Sequence, residues 1–533
     1  HSSALQRQNY ATILGNPSIV DVKFSTERVS GVEKFANSFP LTIDTSKVCL
    51  SRIGNQMPNE GAILVDNDPR KAATKELRSL SNIQIDSCLA SMERDRSRTI
   101  GDYPLTIRNT LLTSLSVLTL SVVAGAAAAE CAAPIKVGVL HSLSGTMAIS
   151  ETTLKDTMLM LIDQQNAAGG VLGCELEAVV VDPASNWPLF AEKARELLTV
   201  HDVDVIFGNW TSVSRKSVLP VIEELNGLLF YPVQYEGEES SKNVFYTGAA
   251  PNQQAIPAVN YFLEELGVEK FALLGTDYVY PRTTNNILEQ YLKDNGIAAD
   301  DIFVNYTPFG QSDWATIVAD VVALGEDGKQ VGVISTINGD ANIGFYKELA
   351  AAGISADDIP VVAFSVGEEE LSGLDTSNLV GQLAAWNYFQ SAESDANTDF
   401  IAAWKAFAGE ERVTNDPMEA HYIGFNMWVN AATAAGSTDV DAVRSAMYGQ
   451  EFPNLTGGTA VMLPNHHLAK PVLIGEITAE GQFDIVSQTT EVPGDAWTDF
   501  LPASAVLKSD WKELGCGMYN TETETCVQLT SNY

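Results

Sequence analysis

The sequence predicts an α/β protein made of two doubly wound parallel-sheet lobes that are joined by a three-segment hinge. Three observations support this prediction. Short apolar strands alternate with amphipathic helices from Pro134 onward, the alternation starts again after Tyr246, and further helices follow both sets. Strands that alternate with helices form parallel sheets with right-handed crossovers, and such strands are buried on both faces.

The elements of the two sets follow one another in the same order. In the first set we predict strands at 135–140, 175–182, 204–208 and 228–233, with helices at 153–168, 188–200 and 214–225. In the second set we predict strands at 270–275, 301–309, 331–336 and 360–365, with helices at 284–295, 314–324 and 343–352. Each set has the length and order of a complete lobe rather than half of one large sheet.

Residues beyond the two sets have to return to them. Helical patterns at 397–409 and 417–435 and a hairpin-like segment, ITAEGQFDIV, follow the last strand, so we expect about three crossings between lobes. We predict that lobe 1 comprises 134–252 and 384–455, that lobe 2 comprises 253–383 and 456–490, and that 491–533 form a C-terminal tail. Several connecting segments make a hinge with a cleft, a common place for a small ligand.

The N-terminal part predicts export. Residues 1–91 show no sustained periodicity, and we interpret them as a poorly ordered leader or an upstream translation. Residues 92–129 combine four arginines, an apolar run from Leu111 to Val123 and terminal alanines, which is typical of a signal peptide. We expect cleavage near Ala129 and a periplasmic protein. A membrane anchor over 111–129 is the alternative, because these 19 residues carry no charge.

Charge excludes two classes of partner. The net charge is −36, and residues 130–533 carry 56 of the 68 acidic residues but only 18 of the 32 basic residues. Such a surface repels nucleic acid and anionic lipid, since there is no basic stripe to displace counterions. We interpret most of these acids as solvated. No calcium-loop pattern is present.

Four of the six cysteines are candidates for disulfides, namely Cys131, Cys174, Cys516 and Cys526. An exported chain can hold disulfides, and four cysteines allow three pairings. Cys131 and Cys174 each precede a strand, so parallel pairing of those strands would bring them together, and Cys516 and Cys526 could close a small loop. Because CxxC spacing and neighbouring histidines are missing, we predict neither a metal nor a cofactor.

Candidate ligand contacts follow from the strand ends. In open α/β sheets a ligand binds beyond the carboxyl ends of the strands, near helix N-termini. This rule selects seven segments, HSLSGT (141–146), GNWTSVS (208–214), YPVQYEG (231–237), GTDYVYPR (275–282), TINGDAN (336–342), SVGEE (365–369) and WNYFQ (386–390). Aromatic walls with a few hydroxyls suit a small, neutral, planar ligand.

These segments also carry a family resemblance. The stretch from GNWTSVS through YPVQYEG to APNQQ, followed by GTDYVYPR, resembles the amide- and urea-binding branch of the type I periplasmic-binding family. IKVGVLHSLSGTMAISE and STINGDAN extend the resemblance over roughly 134–500. It implies a type I periplasmic-binding fold and a substrate-binding component of an ABC importer, which captures urea or a short-chain amide and delivers it to permease subunits. It implies no covalent chemistry.

The resemblance also assigns roles to individual positions. Ligand contacts are expected from the aromatic and hydroxyl residues of the strand-end segments and from the backbone near two of them: Trp210, Ser212, Tyr231, Val233, Gln234, Tyr278, Tyr280 and Ser365. Val233 stands where relatives that bind branched-chain amino acids, and some amide binders, place a threonine. Losing that hydroxyl argues against an amino-acid zwitterion.

Urea adds its own requirements. Its carbonyl needs N–H or O–H donors and its four N–H groups need acceptors. Backbone N–H groups after Ser144 and Ser212 are candidate donors, and Gln234, Asp340 and Glu368 are candidate acceptors. Asp340 and Glu368 are also typical of first-turn acids that stabilise a helix N-terminus.

Other charged residues have simpler interpretations. We expect Glu236 to be solvated, Arg282 to form a structural salt bridge, and His466 and His467 to lie on the surface.

Three rival functions stay open. An enzyme would need a nucleophile or metal motif, and HExxH, GxSxG, Walker A and GxGxxG patterns are missing; His141 could be a base, but it has no evident nucleophile nearby. An amide sensor acting through a partner would work in the cytoplasm, which the signal peptide disfavours. A binder of branched-chain or other small amino acids is the closest alternative.

Overall fold

The computed structural model describes residues 9–14, 19–26, 43–44, 131, 133–372 and 374–527. The segment predicted as a signal peptide lies outside the described residues. Two units are distinguished, His1–Ala126 and Ala127–Tyr533. In the first, β1 (Asn9–Leu14), β2 (Ile19–Thr26) and β3 (Ile43–Asp44) pair antiparallel in that order. Strand β2 is only eight residues long. An alternation over so few residues does not amount to a sustained periodicity in residues 1–91.

The second unit opens with a five-stranded sheet. Its strands are β4 (Ile135–Leu140), β5 (Leu176–Val181), β6 (Val205–Gly208), β7 (Leu229–Tyr231) and β8 (Val244–Tyr246). Helices α1 (Ala148–Ala167), α2 (Trp187–Glu196) and α3 (Ser212–Glu224) connect the first four strands, and a π-helical turn at Leu197–His201 extends α2. The strand order is β5-β4-β6-β7-β8 and all pairs are parallel.

The chain then builds a second set of alternating elements. After a short 3-10 turn at Pro251–Gln253 come α4 (Ala255–Glu264), β9 (Lys270–Thr276), α5 (Val279–Asp294), a turn at Ala299–Asp301, β10 (Ile302–Thr307), α6 (Ala315–Leu324), β11 (Val331–Thr336), α7 (Ala341–Ala351), β12 (Val361–Ala363), α8 (Glu368–Leu371), a turn at Thr376–Asn378 and β13 (Leu383–Trp386).

The remaining elements complete both sets. They are α9 (Asp395–Ala408), α10 (Asp416–Ala435), α11 (Val440–Met447), β14 (Glu451–Pro453), β15 (Thr459–Met462), β16 (Leu468–Lys470), β17 (Leu473–Ile477), β18 (Phe483–Gln488), β19 (Val492–Pro493), β20 (Leu507–Asp510), β21 (Cys516–Asn520) and β22 (Thr525–Cys526). Strands β14, β15, β16 and β19 form one small sheet, and β20, β21 and β22 form another.

The second large sheet repeats the order of the first. Its order is β10-β9-β11-β12-β13-β17-β18, with parallel pairs up to β13 and antiparallel pairs at β17 and β18. In both sheets the first strand in the chain lies between the second and the third. Two doubly wound lobes with parallel sheets are therefore confirmed.

Local sequence explains where several helices begin and end. The Asn186 side chain accepts from the Leu189 N–H at 3.0 Å and Pro188 opens α2, while the Asn415 side chain accepts from the Met418 N–H at 3.3 Å before α10. Side-chain oxygens before a helix and proline in its first turn both favour helix initiation. Helix α10 ends at Gly436, whose φ of 65° suits a residue without a side chain.

Each lobe has its own core. The core of lobe 1 includes residues from β4, β6 and β7 and also from α9 and α10, so the helices that follow β13 return to the first sheet. Trp428 of α10, for example, meets Phe207 of β6 edge to face, with ring centroids 6.3 Å apart. The return of these helices makes the connections between the lobes part of the folded unit.

One side chain joins the connecting segments. The chain passes between the lobes at 247–254, 387–394 and 471–472, and residues 489–491 then lead from β18 to β19. The buried Asn387 donates through Nδ2 to the carbonyl of Gln253 at 3.1 Å and to that of Pro471 at 2.7 Å. Its backbone N–H donates to Asp416 Oδ2 at 2.9 Å. The three hinge segments therefore share a single amide.

Two disulfides occur in the described residues. Cys131 pairs with Cys174 and Cys516 pairs with Cys526, with Cα–Cα distances of 5.2 and 6.2 Å. The first bond ties the chain ahead of β4 to the chain ahead of β5, and the second closes the sheet of β20, β21 and β22. Within the described residues, no helix combines the length and the apolar character needed to cross a membrane.

The expectation that His466 and His467 lie on the surface is wrong. Both are completely buried, because the chain at His467 pairs with Tyr246 beside β8 and the two rings stack with centroids 4.9 Å apart. Burial lowers the pKa of His466 to about 3 and that of His467 to about 4. Both are therefore neutral packing residues at neutral pH.

Candidate ligand-binding site

The carboxyl ends of strands from both lobes meet at one place. Trp210, just after β6, is 2% exposed, and its Nε1 donates to Oδ1 of Asn338, just after β11, at 3.3 Å. Gln234, after β7, donates through Nε2 to Ser365 Oγ and to the Phe364 carbonyl, each at 2.7 Å. Ser365 in turn donates to Asn338 Oδ1 at 3.2 Å. These contacts link lobe 1 directly to lobe 2.

Trp210, Gln234, Asn338 and Ser365, together with Tyr280 after β9, form the junction group. Two polar atoms in this group have no protein partner. They are the side-chain oxygen of Gln234 and the hydroxyl of Tyr280, both buried. Burial raises the pKa of Tyr280, and the nearby side chains of Gln234 and Ser365 partly oppose that rise, although neither forms a hydrogen bond with the hydroxyl. A buried polar group without a partner destabilises a protein by about 1–3 kcal/mol. A ligand with its own donors and acceptors would remove that penalty.

A charged cluster adjoins these residues in lobe 1. Arg215 of α3 is completely buried; its Nε donates to Glu239 Oε1 at 2.7 Å and its Nη1 donates to Ser212 Oγ at 3.2 Å. Ser212 Oγ donates to Glu236, and the hydroxyl of Tyr231 donates to the Trp210 carbonyl. The cluster fixes the residues that follow β6 and β7.

Predicted residues outside this group have other surroundings. Val233 is buried in the core of lobe 1, and Tyr278 is half-buried with its ring 4.9 Å from that of Phe309 and 6.1 Å from that of Tyr280. Tyr278 therefore flanks the group, whereas Val233 contributes packing behind it.

Three predicted contacts are not brought into the group. Ser144 is exposed and donates to Asp182 Oδ2 at 2.9 Å. Asp340 is exposed at the start of α7 and its side chain does not cap the helix. Glu368 is buried, but its Oε1 accepts from the Gln390 N–H at 2.6 Å, and burial raises its pKa to about 8. Their part in ligand binding stays a prediction.

Sequence reasoning missed three residues of the site. Asn338 lies within the selected segment TINGDAN, where nothing in the pattern distinguishes it from its neighbours, and Arg215 lies just outside the segment GNWTSVS. The expectation that Glu236 is solvated is wrong, since Glu236 is 1% exposed. One signal was available: Arg215 shares the helical spacing of the buried Val218 and Ile222, and a buried arginine requires buried acceptors.

The comparisons with known proteins identify the family. A family model described as "Periplasmic binding protein domain" matches residues 135–503. The chain therefore belongs to the periplasmic binding protein family.

Two curated relatives differ in how much of their length the chain matches. The Leu/Ile/Val-binding protein homolog 7 of Brucella melitensis is 24% identical over 342 residues, which are 60% of this chain and 82% of the relative. A limonene hydroxylase of Geobacillus stearothermophilus is 31% identical over 134 residues, but the match covers only 25% of this chain and 24% of that protein. The relative that the chain matches over most of its length is thus named as a binding protein.

Solved structures share the fold. A solute-binding protein of an ABC transporter from R. palustris, in complex with 4-hydroxybenzoate, superposes with a TM-score of 0.59 at 19% identity and covers 67% of this chain and 97% of that chain. A leucine-binding protein from Thermotoga maritima superposes with a TM-score of 0.58 at 16% identity and covers 67% of this chain and 99% of that one. At this identity the comparison establishes the fold and leaves the ligand to the residues of the cleft.

Proposed function

We propose that the protein is the exported substrate-binding component of an ABC importer, and that it captures urea or a short-chain amide between its lobes and delivers it to a membrane permease. The observation that carries the proposal is the pair of buried, unpaired polar atoms, Gln234 Oε1 and the hydroxyl of Tyr280. The first accepts an N–H and the second can donate to a carbonyl. A primary amide offers both groups in one plane.

The charges of the site favour a neutral ligand. Across the seven strand-end segments the only lysine or arginine is Arg282, which is exposed and donates to Asp277 at 2.6 Å. Arg215 faces Glu236 and Glu239 instead. A ligand carboxylate would therefore enter a buried site without a free cation, and burying an uncompensated charge is strongly unfavourable.

The contacts across the cleft favour a small ligand. The bonds from Trp210 to Asn338 and from Gln234 to Ser365 join the lobes directly. A benzoate ring or a leucyl side chain would have to separate these pairs, whereas urea has only four heavy atoms. With about −1.5 kcal/mol per heavy atom as a ceiling, urea binding reaches roughly −6 kcal/mol, or tens of micromolar.

The relatives supply a second candidate, a branched-chain or other small amino acid. It is favoured by the match to the Leu/Ile/Val-binding protein homolog over 82% of that protein. Glu236 could hold an ammonium group, but the ligand carboxylate would still need donors other than a free cation. Val233, with no hydroxyl, supplies none.

Isothermal titration of the mature protein tests the choice. Urea, acetamide, leucine and 4-hydroxybenzoate are titrated separately. We expect urea or acetamide to bind with a Kd of tens to hundreds of micromolar and the two carboxylates to bind at least tenfold more weakly. Tighter binding of leucine or 4-hydroxybenzoate would contradict the proposal while leaving the fold unaffected.

A further inference from the structure

Glu236 keeps acceptor capacity although it is buried. Its Oε2 accepts from Ser212 Oγ. Its Oε1 lies 3.5 Å from Arg215 Nη2 and 3.5 Å from Lys216 Nζ, which is longer than the 2.7–3.2 Å usual for an N–H···O bond. Both cations instead make 2.7 Å contacts with Glu239. Glu239 thus takes the short bonds, and Oε1 of Glu236 remains weakly engaged.

The position of Glu236 relates it to the lobe junction. Its partner Ser212 is two residues from Trp210 in the chain, and Trp210 bonds across to lobe 2. Glu236 is two residues from Gln234, which also bonds across to lobe 2. Burial raises the pKa of Tyr278 and of Tyr280, both of lobe 2, and the negative charge of Glu236 adds to that rise. The carboxylate therefore belongs to the same two segments, after β6 and β7, that bond across to lobe 2.

Arg215 holds this arrangement in place. Its guanidinium lies over the rings of Tyr231 and Tyr235, 4.6 and 4.7 Å from their centroids. A planar cation fixed by stacking and by Glu239 has little freedom. Because it also donates to Ser212 at 3.2 Å, it sets the orientation of the hydroxyl that holds Glu236.

We propose that Glu236 is the specificity-determining acceptor of the cleft, that its Oε1 binds an N–H of the ligand, and that Arg215 is a positioning residue for it. This inference rests on the proposed function of the cleft. It narrows the ligand class to molecules with an unsubstituted –NH2 next to a carbonyl. Fully N-alkylated ureas and amides lack the donor that Glu236 requires.

The test compares two acids that share one arginine. Urea and 1,1,3,3-tetramethylurea are titrated into the wild type, Glu236→Gln and the matched control Glu239→Gln. We expect the wild type to bind urea and to bind tetramethylurea at least thirtyfold more weakly. Glu236→Gln should bind urea at least tenfold more weakly and lose most of this discrimination, because the charged acceptor is gone. Glu239→Gln should keep the discrimination, even where its affinity falls.

The outcomes separate the two proposals. If the wild type binds neither urea nor acetamide, both proposals are overturned. If the wild type binds urea and Glu236→Gln binds it within threefold of the wild type, Glu236 is not the acceptor and the proposed function stands. Should Glu236→Gln fail to fold, Glu236→Asp, which keeps the charge but withdraws it by one methylene, is expected to show the same loss of discrimination; an unchanged ratio overturns the inference.

Discussion

Two tyrosines at the lobe junction differ in one hydrogen bond. The hydroxyl of Tyr231 donates to the Trp210 carbonyl, whereas the hydroxyl of Tyr280 is buried with no protein partner. The first bond stabilises the folded protein by itself. On the proposed function, the second hydroxyl gains its partner from the ligand and therefore stabilises the complex rather than the ligand-free protein.

Replacing Tyr280 by Phe should therefore separate binding from stability. We expect Tyr280→Phe to weaken urea binding about tenfold and to leave the Tm of the ligand-free protein unchanged or slightly raised, since no hydrogen bond within the protein is lost. The control, Tyr231→Phe, should lower that Tm by removing the bond to Trp210. Titration calorimetry and thermal denaturation measure the two quantities. A ligand-free Tyr280→Phe protein that melts several degrees lower would argue against a role in binding.

At the scale of elements, the site forms where the strand order reverses. In each large sheet the first strand lies between its second and third strands, and the loops after β4, β6, β9 and β11 leave from this point in opposite directions. Such a switch point opens a crevice at the carboxyl ends. The short helix α8 adds a contact near it, because Ser150 of α1 donates to Glu370 Oε1 of α8 at 2.6 Å.

This contact between α1 and α8 should make stability depend on pH. Burial raises the pKa of Glu370 to about 7, so the group contributes stability that is present in full below its unfolded pKa of about 4.5 and is lost as pH rises through 7. We expect both the Tm and the unfolding free energy of the wild type to fall between pH 5 and pH 8. In Glu370→Gln the fall in unfolding free energy should be smaller by an amount on the order of 2–3 kcal/mol.

The matched control for this prediction is Glu326→Gln, an acid on the exposed surface of lobe 2. It changes the net charge by the same amount and should leave the pH profile of the wild type unaltered. Glu368, whose pKa burial raises to about 8, keeps part of the pH dependence in both variants. A Glu370→Gln profile that parallels the wild type would contradict the assignment.

At the scale of the whole molecule, ligand binding should be coupled to lobe closure. The contacts of Trp210 and Gln234 reach across to the second lobe, so a ligand held between them gains more from the closed arrangement than from an open one. Only such a difference in affinity can shift the population of the two arrangements.

Small-angle scattering measures this shift. We expect the radius of gyration of the wild type to decrease when urea or acetamide saturates the protein, and Tyr280→Phe to show a smaller decrease at the same ligand concentration. Saturation that is verified by calorimetry but produces no compaction would show that the ligand binds without closure.

The sequence predicted those parts of the protein that follow from local pattern. Runs of apolar residues between helices located eight of the strands of the two large sheets to within a few residues. The strand-end rule selected the segments that contain Trp210, Gln234 and Tyr280, and the family resemblance pointed to these residues within them. Val233 and Glu368 lie in the selected segments too, but pattern does not fix on which side of a backbone a side chain points.

Pairing between distant residues could not be predicted. Glu236 follows α3 by more than ten residues, and its burial depends on Arg215 reaching it from the inner face of that helix. His467 is buried because its segment pairs with Tyr246, more than 200 residues earlier. In both cases the environment of a polar residue is set by a partner distant in the chain, and the helical spacing that marks Arg215 as buried does not identify Glu236 as its acceptor.

The amide of Asn387 has a consequence for mechanics. Its Nδ2 bonds the carbonyls of Gln253 and Pro471 at once. The three hinge segments therefore cannot slide past one another without breaking these two hydrogen bonds. A rotation of the lobes about Asn387 would leave both hydrogen bonds in place. A few hydrogen bonds between the lobes at the cleft, far from Asn387, would then be enough to set the angle between the lobes.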